Sequence, residues 1–402
     1  MKSKISGNPV LTVRNNSDLY VDGIKAQELI DRYKSPFFIY SEKVIRLNCK
    51  GFLKLLKNYF KRFQIFYSYK SNPFPQICEI IHSEGIGAEV VSLQELDQAL
   101  GLKLENDNIC IGTPYLTNEL LKLIFSKKIN NIGCWSLPQM EQIVDLSKNL
   151  QSVLDIMIRI RPNSYKKTLG IKISKENCQK IINLLDNTSL KITGLHSHYS
   201  TQMMKENLYI ENLNLILETY EILESMGFNS IDSFNLGGGF PEASILKLED
   251  LDKIFSSIKD RMEESGFNNK NIIFEPGRYF ISDAGMVFSK ILDIFNDFDE
   301  KWIRLNIGTN FLPRTSKSNF KFFCINKITQ PNIEQVNILG NLPSEMDFFA
   351  KNYLTIKDIE MKDNILITNA GAYTQTWSTH FPYPKPQHLL IRKDKNVQEL
   401  IP

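Results

Sequence analysis

The feature that most constrains the fold is a regular alternation, between residues 37 and 280, of short apolar runs with amphipathic stretches of helical length. The apolar runs are bounded by Gly, Pro, Ser or Asn, as expected for strands buried on both faces of a parallel sheet. Eight strands separated by helices over about 240 residues predict a (β/α)8 barrel, with a doubly wound open sheet as the main alternative. The predicted barrel strands are Gln64–Tyr69, Gly87–Val91, Asn108–Ile111, Asn131–Trp135, Leu154–Ile160, Ile192–His198, Ile231–Leu236 and Asn271–Phe274.

The pattern changes after Ser282, where short β-rich runs separated by turn signals replace the alternation. No helical stretch of comparable length lies between these runs, which predicts a mainly antiparallel β domain. Two further runs, Val10–Val13 and Leu19–Val21, are predicted to join it. The predicted organisation is N-terminal strands of the β domain in residues 1–36, the barrel in 37–282 and the β domain in 283–402. Its predicted strands are Met286–Ile294, Trp302–Ile307, Phe320–Ile325, Gln335–Leu339, Asn364–Thr368 and Gln387–Ile391.

Composition and charge exclude several classes of protein. The net charge is +3, from 48 basic and 45 acidic residues without a block of like charge, so neither a nucleic-acid partner nor a membrane surface is expected. Charges, Pro or Gly interrupt every apolar stretch, and the first residues lack the apolar core of a signal peptide. The six cysteines lie singly, as expected of reduced thiols and not of a disulfide framework or a zinc site. We therefore expect a cytoplasmic protein that acts on a small molecule.

A lysine follows the first predicted barrel strand. The run Phe66–Tyr69 leads directly into Lys70, and in a parallel barrel the carboxyl ends of the strands form the active site. Burial at this position is expected to lower the pKa of the amine and make it a nucleophile. Taken alone, a strand-end lysine is more often simply solvated.

Glycines and an arginine follow the seventh and eighth predicted strands. Gly237, Gly238 and Gly239 allow backbone N–H groups to approach an anion without an obstructing side chain. Gly277 and Arg278 follow the eighth strand, and in barrels the loops after strands seven and eight commonly bind phosphate. A tight turn is the alternative role for the glycines, but the combination predicts a phosphate site.

Two histidines and a glutamate complete the set of strand ends. His196 and His198 alternate along the sixth strand, but no third ligand is evident nearby and no metal site is predicted. We expect His198 to lie against a flat aromatic ligand, whereas ordinary packing accounts for His196. With Lys70, the phosphate site and Glu275, this describes a site for pyridoxal 5'-phosphate. Lys70 would form an imine with its aldehyde, and Glu275 would keep its ring nitrogen protonated.

These motifs resemble those of the fold-type III pyridoxal-phosphate decarboxylases, a family that includes diaminopimelate and ornithine decarboxylases. The resemblance implies an alanine racemase-like fold and a homodimer whose active sites are completed across the interface. It also implies that His198 stacks on the cofactor ring and that Thr201 and Tyr373 help to hold the phosphate. The matching segments are Tyr67–Asn72, Gly87–Leu96, His198–Gln202, Gly237–Phe240, Glu275–Tyr279 and Gly371–Tyr373.

The segment Gly340–Asp347 departs from the family pattern. Relatives have a cysteine here that reaches over from the partner subunit and protonates Cα after carbon dioxide leaves, and this chain has Pro343, which has no proton to give. Ser344 stands where relatives carry an acidic residue that holds a distal ammonium group, and Glu345 is the candidate substitute. Arg314 lies near the place of an arginine that grips a distal carboxylate, with its neighbours in inverted order.

The cofactor half of the site therefore matches the family, and the substrate half does not. We predict decarboxylation of a non-standard amino acid in a specialised biosynthetic pathway, through the Lys70 imine and a quinonoid. The candidate proton donors to Cα are Lys70, water, Ser344, Glu345 and His380. A racemase or an eliminase starts from the same imine and is the alternative, and a non-catalytic paralogue is a third hypothesis. The identity and chirality of the substrate, and its free or carrier-bound form, are left open.

Overall fold

The computed structural model describes residues 5, 7–15, 17–150, 154–161, 168–186 and 188–401. Its strands are β1 Leu11–Arg14, β2 Asp18–Val21, β3 Ile24–Lys25, β4 Phe37–Ser41, β5 Phe63–Ser68, β6 Gly87–Val90, β7 Ile109–Ile111, β8 Asn131–Cys134, β9 Asp155–Arg161, β10 Ile171–Lys172, β11 Lys191–His196, β12 Ser233–Asn235, β13 Asn271–Phe274, β14 Gly285–Asp297, β15 Glu300–Leu305, β16 Lys321–Cys324, β17 Asn332–Leu339, β18 Phe348–Ile356, β19 Asn364–Thr368, β20 Gln387–Ile391 and β21 Val397–Glu399. Its helices are α1 Ala26–Arg32, α2 Glu42–Tyr59, α3 Pro75–His82, α4 Leu93–Gly101, α5 Asn118–Lys127, α6 Leu137–Leu150, α7 Lys175–Leu185, α8 Glu206–Ser225, α9 Leu248–Glu264 and α10 Arg278–Ile281. Short 3-10 turns lie at Tyr69–Ser71, Asn106–Asn108 and Arg314–Ser316. Among the described helices, none is both long and apolar enough to cross a membrane.

Eight parallel strands close into a barrel, which confirms the predicted architecture. Their order is β5-β6-β7-β8-β9-β11-β12-β13, and pairing of β13 with β5 completes the circle. Alternate side chains along each strand point into and out of the barrel. Phe66, Cys110, Met157 and Ile273 accordingly form a small buried cluster that is separate from the main core. Side chains therefore fill the interior of the barrel, and its open end lies at the carboxyl ends of the strands.

Five barrel strands end one or two residues earlier than predicted, and the ends of β5 and β11 lie next to two functional candidates. β5 stops at Ser68 because Tyr69–Ser71 form a 3-10 turn, in which the Ser71 hydroxyl donates to the Ser68 carbonyl at 2.7 Å. β11 stops at His196. Lys70 and His198 therefore lie beyond the strands, at the mouth of the barrel.

Hydroxyl side chains cap four of the described helices at their first turn. Ser92 Oγ accepts from the Glu95 N–H at 3.2 Å and caps α4. Ser41, Thr117 and Ser174 cap α2, α5 and α7 in the same way. Each cap satisfies a backbone donor that the first turn leaves without an intrahelical partner.

The second sheet is mainly antiparallel, as predicted. Its order is β18-β17-β15-β14-β4-β20-β21, with β19 pairing with β14 and β16. The pairs β15–β17 and β4–β20 are parallel. The sequence analysis did not predict β4, β18 or β21 as strands. Most residues of β18 are half-buried or exposed and show no two-residue period, so the pattern that marks a one-sided strand is absent.

The N-terminal strands pair differently from the prediction. β1, β2 and β3 form an antiparallel sheet of their own and do not join the sheet of the β domain. The strand that does join it is β4, between β14 and β20, although its residues fall in the range 37–282 assigned to the barrel. All five residues of β4 are buried, and such a run has the same appearance in either kind of sheet. The boundaries as a whole stay predictions.

An aromatic cluster holds the eighth barrel strand against the surrounding helices. The ring of Phe52, on α2, lies 5.2 Å from Phe255, 6.2 Å from Phe274 and 5.3 Å from Tyr279, measured between centroids. The tilted, edge-on arrangement of these rings is the favourable one. Because Phe274 and Tyr279 bracket the strand-eight turn, the cluster fixes the position of that turn.

A buried carboxyl group lies where the barrel passes into β14. Asp283 is 3% exposed and accepts from the Ser244 backbone N–H at 2.6 Å and the Ser244 hydroxyl at 3.0 Å. Burial raises the pKa of Asp283 to about 7, and nearby Glu242 acts in the same direction, while the Ser244 hydrogen bonds oppose them. The folded protein thus holds a proton here that the unfolded chain releases at lower pH.

We expect Asp283 to make the free energy of unfolding depend on pH. The pKa of this carboxyl is 3.8 outside this environment and about 7 in the fold. The free energy of unfolding therefore falls as the pH rises between those values, by at most about 4 kcal/mol. Asp283→Asn removes the titration. Thermal unfolding at pH 5 and pH 8 should show a smaller loss of Tm for the variant than for the wild type. If the difference in Tm between the variant and the wild type is the same at pH 5 and at pH 8, this expectation is contradicted.

Candidate active site

Side chains from all eight barrel strands meet at the open end of the barrel. Each strand contributes at least one polar or aromatic side chain near its carboxyl end, where parallel barrels carry their active sites. In strand order these residues are Lys70, Glu89, Cys110, Trp135, Arg159, His196, Asn235 and Glu275.

The amine of Lys70 is held by a buried carboxylate. Its Nζ donates to Glu89 Oε2 at 2.6 Å, and the Ser68 hydroxyl donates to the same oxygen. Burial alone lowers the pKa of Lys70, but Glu89, together with Tyr373 and Glu275, outweighs it and raises that pKa above its ordinary value. The expectation of a lowered pKa is therefore wrong for the protein without a ligand, because it took no account of Glu89.

Glu275 is fixed by contacts on both carboxylate oxygens. Oε1 accepts from Asn235 Nδ2 at 2.7 Å, and the Cys110 thiol lies 3.7 Å away. Oε2 lies 3.5 Å from His196 Nε2. The side chain is buried, so these neighbours replace the water that an exposed carboxylate would bind.

His196 is part of this site, which corrects its assignment to ordinary packing. It is 1% exposed, and within the described residues its Nε2 has no hydrogen-bond partner. Burial, with the positive charges of Arg159 and Lys70, places the pKa of His196 well below its ordinary value. The imidazole is therefore neutral at physiological pH and can offer a hydrogen bond to a bound molecule.

Arg159 and Trp135 form the opposite wall of the mouth. The guanidinium carbon of Arg159 lies 3.8 Å from the centroid of the Trp135 ring. Burial lowers the pKa of Arg159, and the carboxylates of Glu275 and Glu89 act against that shift. Trp135 Nε1 is buried and has no hydrogen-bond partner among the described residues, so it is a second polar atom available to a ligand.

The three glycines form a turn that no other residue fits. Gly237 and Gly239 have φ of +66° and +90°, which residues with a side chain rarely adopt. A Cβ atom at any of the three glycines would also come closer than 3.0 Å to a backbone oxygen, of Ser197, Glu275 or Ser200. The Gly238 N–H donates to His198 Nδ1 at 3.3 Å, so the turn and the imidazole are held together.

The turns after strands one and eight meet the loop that carries Tyr373. Ser71 lies against Gly277, where a Cβ atom would be 2.9 Å from the Ser71 Cβ. The Tyr373 N–H donates to the Ser71 carbonyl at 2.7 Å, and the ring of Tyr373 lies 4.9 Å from the Arg278 guanidinium. Arg278 also donates to Ser318 Oγ at 3.2 Å. The predicted phosphate residues Gly237–Gly239, Gly277, Arg278 and Tyr373 thus occupy neighbouring turns, although their roles stay predictions.

Thr201 is the least engaged of the predicted phosphate residues. Its side chain is exposed, and its backbone carbonyl accepts from the Ser200 hydroxyl at 3.5 Å. It nevertheless lies next to the glycine turn, because a side chain on Gly239 would strike the carbonyl oxygen of the neighbouring Ser200.

Ser344 and Glu345 lie on an exposed loop of the β domain. Asp347 anchors the loop, with Oδ1 accepting from the Thr309 N–H at 2.6 Å and Oδ2 from the Leu342 N–H at 2.7 Å. Arg314 is exposed as well, and its Nε donates to the Phe348 carbonyl at 2.8 Å. Among the contacts of the described residues, none joins Ser344, Glu345 or Arg314 to Lys70. One chain by itself does not bring these candidates into the site.

Sequence reasoning assigned no individual role to Glu89, Cys110, Trp135, Arg159 or Asn235. Each occurs within or directly beside a predicted barrel strand. The available signal was position alone: a side chain near the carboxyl end of a barrel strand reaches the site if it is one of the alternate residues that point inward.

Comparison with known families gives one match, which covers most of the barrel. The model of the family described as pyridoxal-dependent decarboxylase, pyridoxal binding domain, matches residues 46–282. The arrangement here fits such a cofactor. It combines an amine, a buried carboxylate, two buried ring nitrogens without partners and a glycine turn that leaves backbone N–H groups uncovered.

Whole-chain relatives give the same result at low identity. A diaminopimelate decarboxylase of Methanocaldococcus jannaschii is 24% identical, with 99% of this chain and 95% of the relative covered. An L-glutamyl-[BtrI acyl-carrier protein] decarboxylase of Niallia circulans is 25% identical, with 92% of each chain covered. The crystal structure of the M. jannaschii enzyme superimposes with a TM-score of 0.88 at 22% identity, over 98% of this chain and 95% of that one. These matches confirm the predicted fold.

We expect Glu89 to control the protonation of Lys70. Glu89→Gln removes the negative charge 2.6 Å from the amine, so the amine should lose its proton at lower pH. The rate at which the apoprotein incorporates pyridoxal phosphate, followed by the visible absorption of the bound cofactor, should reach half its maximum at a pH at least about one unit lower than in the wild type.

Two controls interpret this measurement. Lys70→Ala should give no band that borohydride bleaches, which establishes that the signal comes from Lys70. Glu95→Gln removes a carboxyl group that makes no hydrogen bond or ion pair with the amine and interacts with Lys70 only through charge, so it should shift the pH profile much less than Glu89→Gln does. Identical profiles for Glu89→Gln and the wild type would disprove the role of Glu89.

Proposed function

The chain belongs to the pyridoxal-dependent decarboxylase family, and from this premise we propose that its substrate is an α-amino acid with a second carboxylate. The family assignment makes it a pyridoxal-phosphate-dependent amino-acid decarboxylase, as the sequence predicts, and favours this reaction over racemisation, elimination or a non-catalytic role. The observation that supports the substrate class is the pair of arginines at the two ends of the loop Gly340–Asp347.

These arginines hold the base of the loop and keep donors to spare. Arg304 donates to the Gly340 carbonyl at 3.1 Å through Nη1. Arg314 donates to the Phe348 carbonyl through Nε and lies 5.2 Å from the Phe348 ring. A guanidinium has five N–H donors, so each keeps several for a carboxylate. Between them the loop carries Ser344 where relatives have an acidic residue, which removes the usual partner of a distal ammonium group.

The barrel residues divide the work of holding the cofactor. Lys70 would hold its aldehyde carbon, His198 would lie against the ring, and Glu275 would hold a proton on the ring nitrogen. The glycine turn, Arg278 and Tyr373 would surround the phosphate. Bound pyridoxal phosphate accepts the electron pair left on Cα when the carboxylate departs as carbon dioxide.

The reaction then needs one proton at Cα, and Pro343 cannot supply it. The candidates on the exposed loop are Ser344 and Glu345. They make no contact with Lys70 in the described chain, so we propose that they serve the site of another subunit. This supports a homodimer in which each loop reaches the neighbouring barrel.

A carrier-bound substrate is the second candidate. The Niallia circulans relative is named for decarboxylation of a glutamyl group on an acyl-carrier protein. The side chain of Lys70 is 44% exposed in the single chain, so a tethered amino acid could reach it. In that case the second carboxylate would be esterified to the carrier and the arginines would not bind it.

A substrate panel tests the proposed class. Carbon dioxide release should be at least about tenfold faster, in kcat/KM, for free dicarboxylic amino acids such as 2-aminoadipate or diaminopimelate than for lysine or ornithine. Arg314→Met should raise KM for the dicarboxylic substrate about tenfold with little change in kcat. Arg32→Met is the matched control, because Arg32 is likewise exposed and lies 5.3 Å from a neighbouring ring, that of Tyr33.

The panel also separates the two candidates. Activity on a carrier-linked glutamyl group alone would favour the second candidate over the first. A preference for lysine or ornithine would disprove both.

Mixed dimers test the shared site. We expect the Lys70→Ala chain and the Ser344→Ala/Glu345→Gln chain each to be inactive alone. Co-expressed in equal amounts, they should recover about a quarter of the wild-type activity, because half of the dimers then contain one intact site. No recovery would contradict a shared site. Substantial activity of the double variant alone would show that the proton comes from elsewhere.

A further inference from the structure

We propose that Asn235 is a positioning residue that couples the carboxylate of Glu275 to the glycine turn, so that the two ends of the cofactor site are held as one unit. Asn235 is the last residue of β12 and is fully buried. Its side chain makes one hydrogen bond to each end of the site. Nδ2 donates to Glu275 Oε1 at 2.7 Å, and Oδ1 accepts from the Gly237 N–H at 2.8 Å.

The orientation of the amide is determined by its partners. The backbone N–H of Gly237 can only donate, so it must face the amide oxygen. The opposite end of the amide then presents its N–H2 group to Glu275, which as a carboxylate can only accept. Both assignments agree, and only an amide side chain of this length satisfies them together.

A third hydrogen bond closes a ring. The backbone N–H of Glu275 donates to the Gly237 carbonyl at 2.8 Å. Asn235, Gly237 and Glu275 are thus connected in a cycle of three hydrogen bonds. A displacement of Gly237 or Glu275 would break two of the three. The Asn235 carbonyl also accepts from the Ser197 N–H at 2.8 Å, so the cycle is attached to the sixth strand, next to His198.

The donor from Asn235 replaces part of the water that the buried Glu275 carboxylate has lost, and so stabilises its negative charge. Other groups around this carboxylate act with it or against it. Lys70 and Arg159 contribute positive charge, Glu89 contributes negative charge, and His196 and Cys110 are neutral. Among the described side chains, only that of Asn235 donates a hydrogen bond shorter than 3 Å to this carboxylate.

Two substitutions separate the two halves of this role. Asn235→Asp keeps an acceptor for the Gly237 N–H but replaces the donor with a second carboxylate. Asn235→Leu is of similar size and removes both. Asn337→Leu is the matched control, because Asn337 lies on β17 of the β domain, is 1% exposed, donates to Glu300 Oε2 at 2.7 Å and accepts from the Asn352 N–H at 3.0 Å.

The primary readout is the ¹⁵N chemical shift of the ring nitrogen of labelled pyridoxal phosphate bound to each protein, recorded between pH 6 and pH 10. It reports whether this nitrogen carries a proton and needs no substrate. We expect the nitrogen to lose its proton at lower pH in Asn235→Leu than in the wild type. In Asn235→Asp it should do so at a pH no lower than in the wild type, because the added carboxylate favours a nearby proton. The control should match the wild type.

The second readout is cofactor affinity, measured by titration of the apoproteins. Asn235→Leu should weaken binding about tenfold, and Asn235→Asp should stay within about threefold, since the turn keeps its acceptor. Unchanged ring protonation in both variants, or a shift in the same direction in both, would overturn the coupling. Equal loss of affinity in both variants would overturn the part assigned to Gly237.

These outcomes do not depend on the proposed substrate. The inference about Asn235 rests only on the family's cofactor, so it holds even if the proposed substrate class is wrong. Its failure, in turn, would not bear on the substrate class. If Asn235→Leu fails to fold, as shown by the Tm of the apoprotein, Asn235→Asp still gives the direction of the shift in ring protonation.

Discussion

The desolvation of two carboxylates determines the arrangement of the site. Glu89 and Glu275 are 1% and 6% exposed at the mouth of the barrel, and a buried carboxylate is stable only where donors or cations replace its water. Lys70 and Ser68 donate hydrogen bonds to Glu89, and Asn235 donates one to Glu275. The identity of the residues at the other strand ends follows from this requirement as much as from the needs of a substrate. A change to either carboxylate therefore alters its partners as well.

Sequence alone indicates the parts of this protein that have a local signature. Lys70 after an apolar strand, and three glycines in a row, are visible because chemistry restricts the residue types at those places. Glu89 and Arg159 have no such signature, because each is a charged residue between apolar ones, and β9 also contains Asp155 and Arg161. Their roles appear only when closure of the barrel brings them near Lys70. The raised pKa of Lys70 could not be predicted for the same reason, since it depends on a pair that lies 19 residues apart in the chain.

The two halves of the protein differ in how completely a single chain defines them. The residues around the cofactor make dense contacts across neighbouring turns, and these contacts would be lost if any one turn moved. Ser344 and Glu345 instead lie on a loop that is rigid at its base, through Asp347, and exposed at its tip. A rigid base with an exposed tip suits a segment whose function depends on a surface outside its own chain. The loop that carries Ser344 and Glu345 could therefore change in evolution with little effect on the folding of the barrel.

The position of β4 has a consequence for how the chain reaches its folded state on the ribosome. This apolar strand is synthesised early, but the strands that flank it, β14 and β20, begin only at Gly285 and Gln387. Until both have emerged, the nascent chain carries an unpaired strand of five residues that are all buried in the finished protein. An unpaired apolar strand readily joins other chains. Shielding by a chaperone, or rapid completion of synthesis, is therefore more important for this protein than for a barrel whose first strand pairs with the next one.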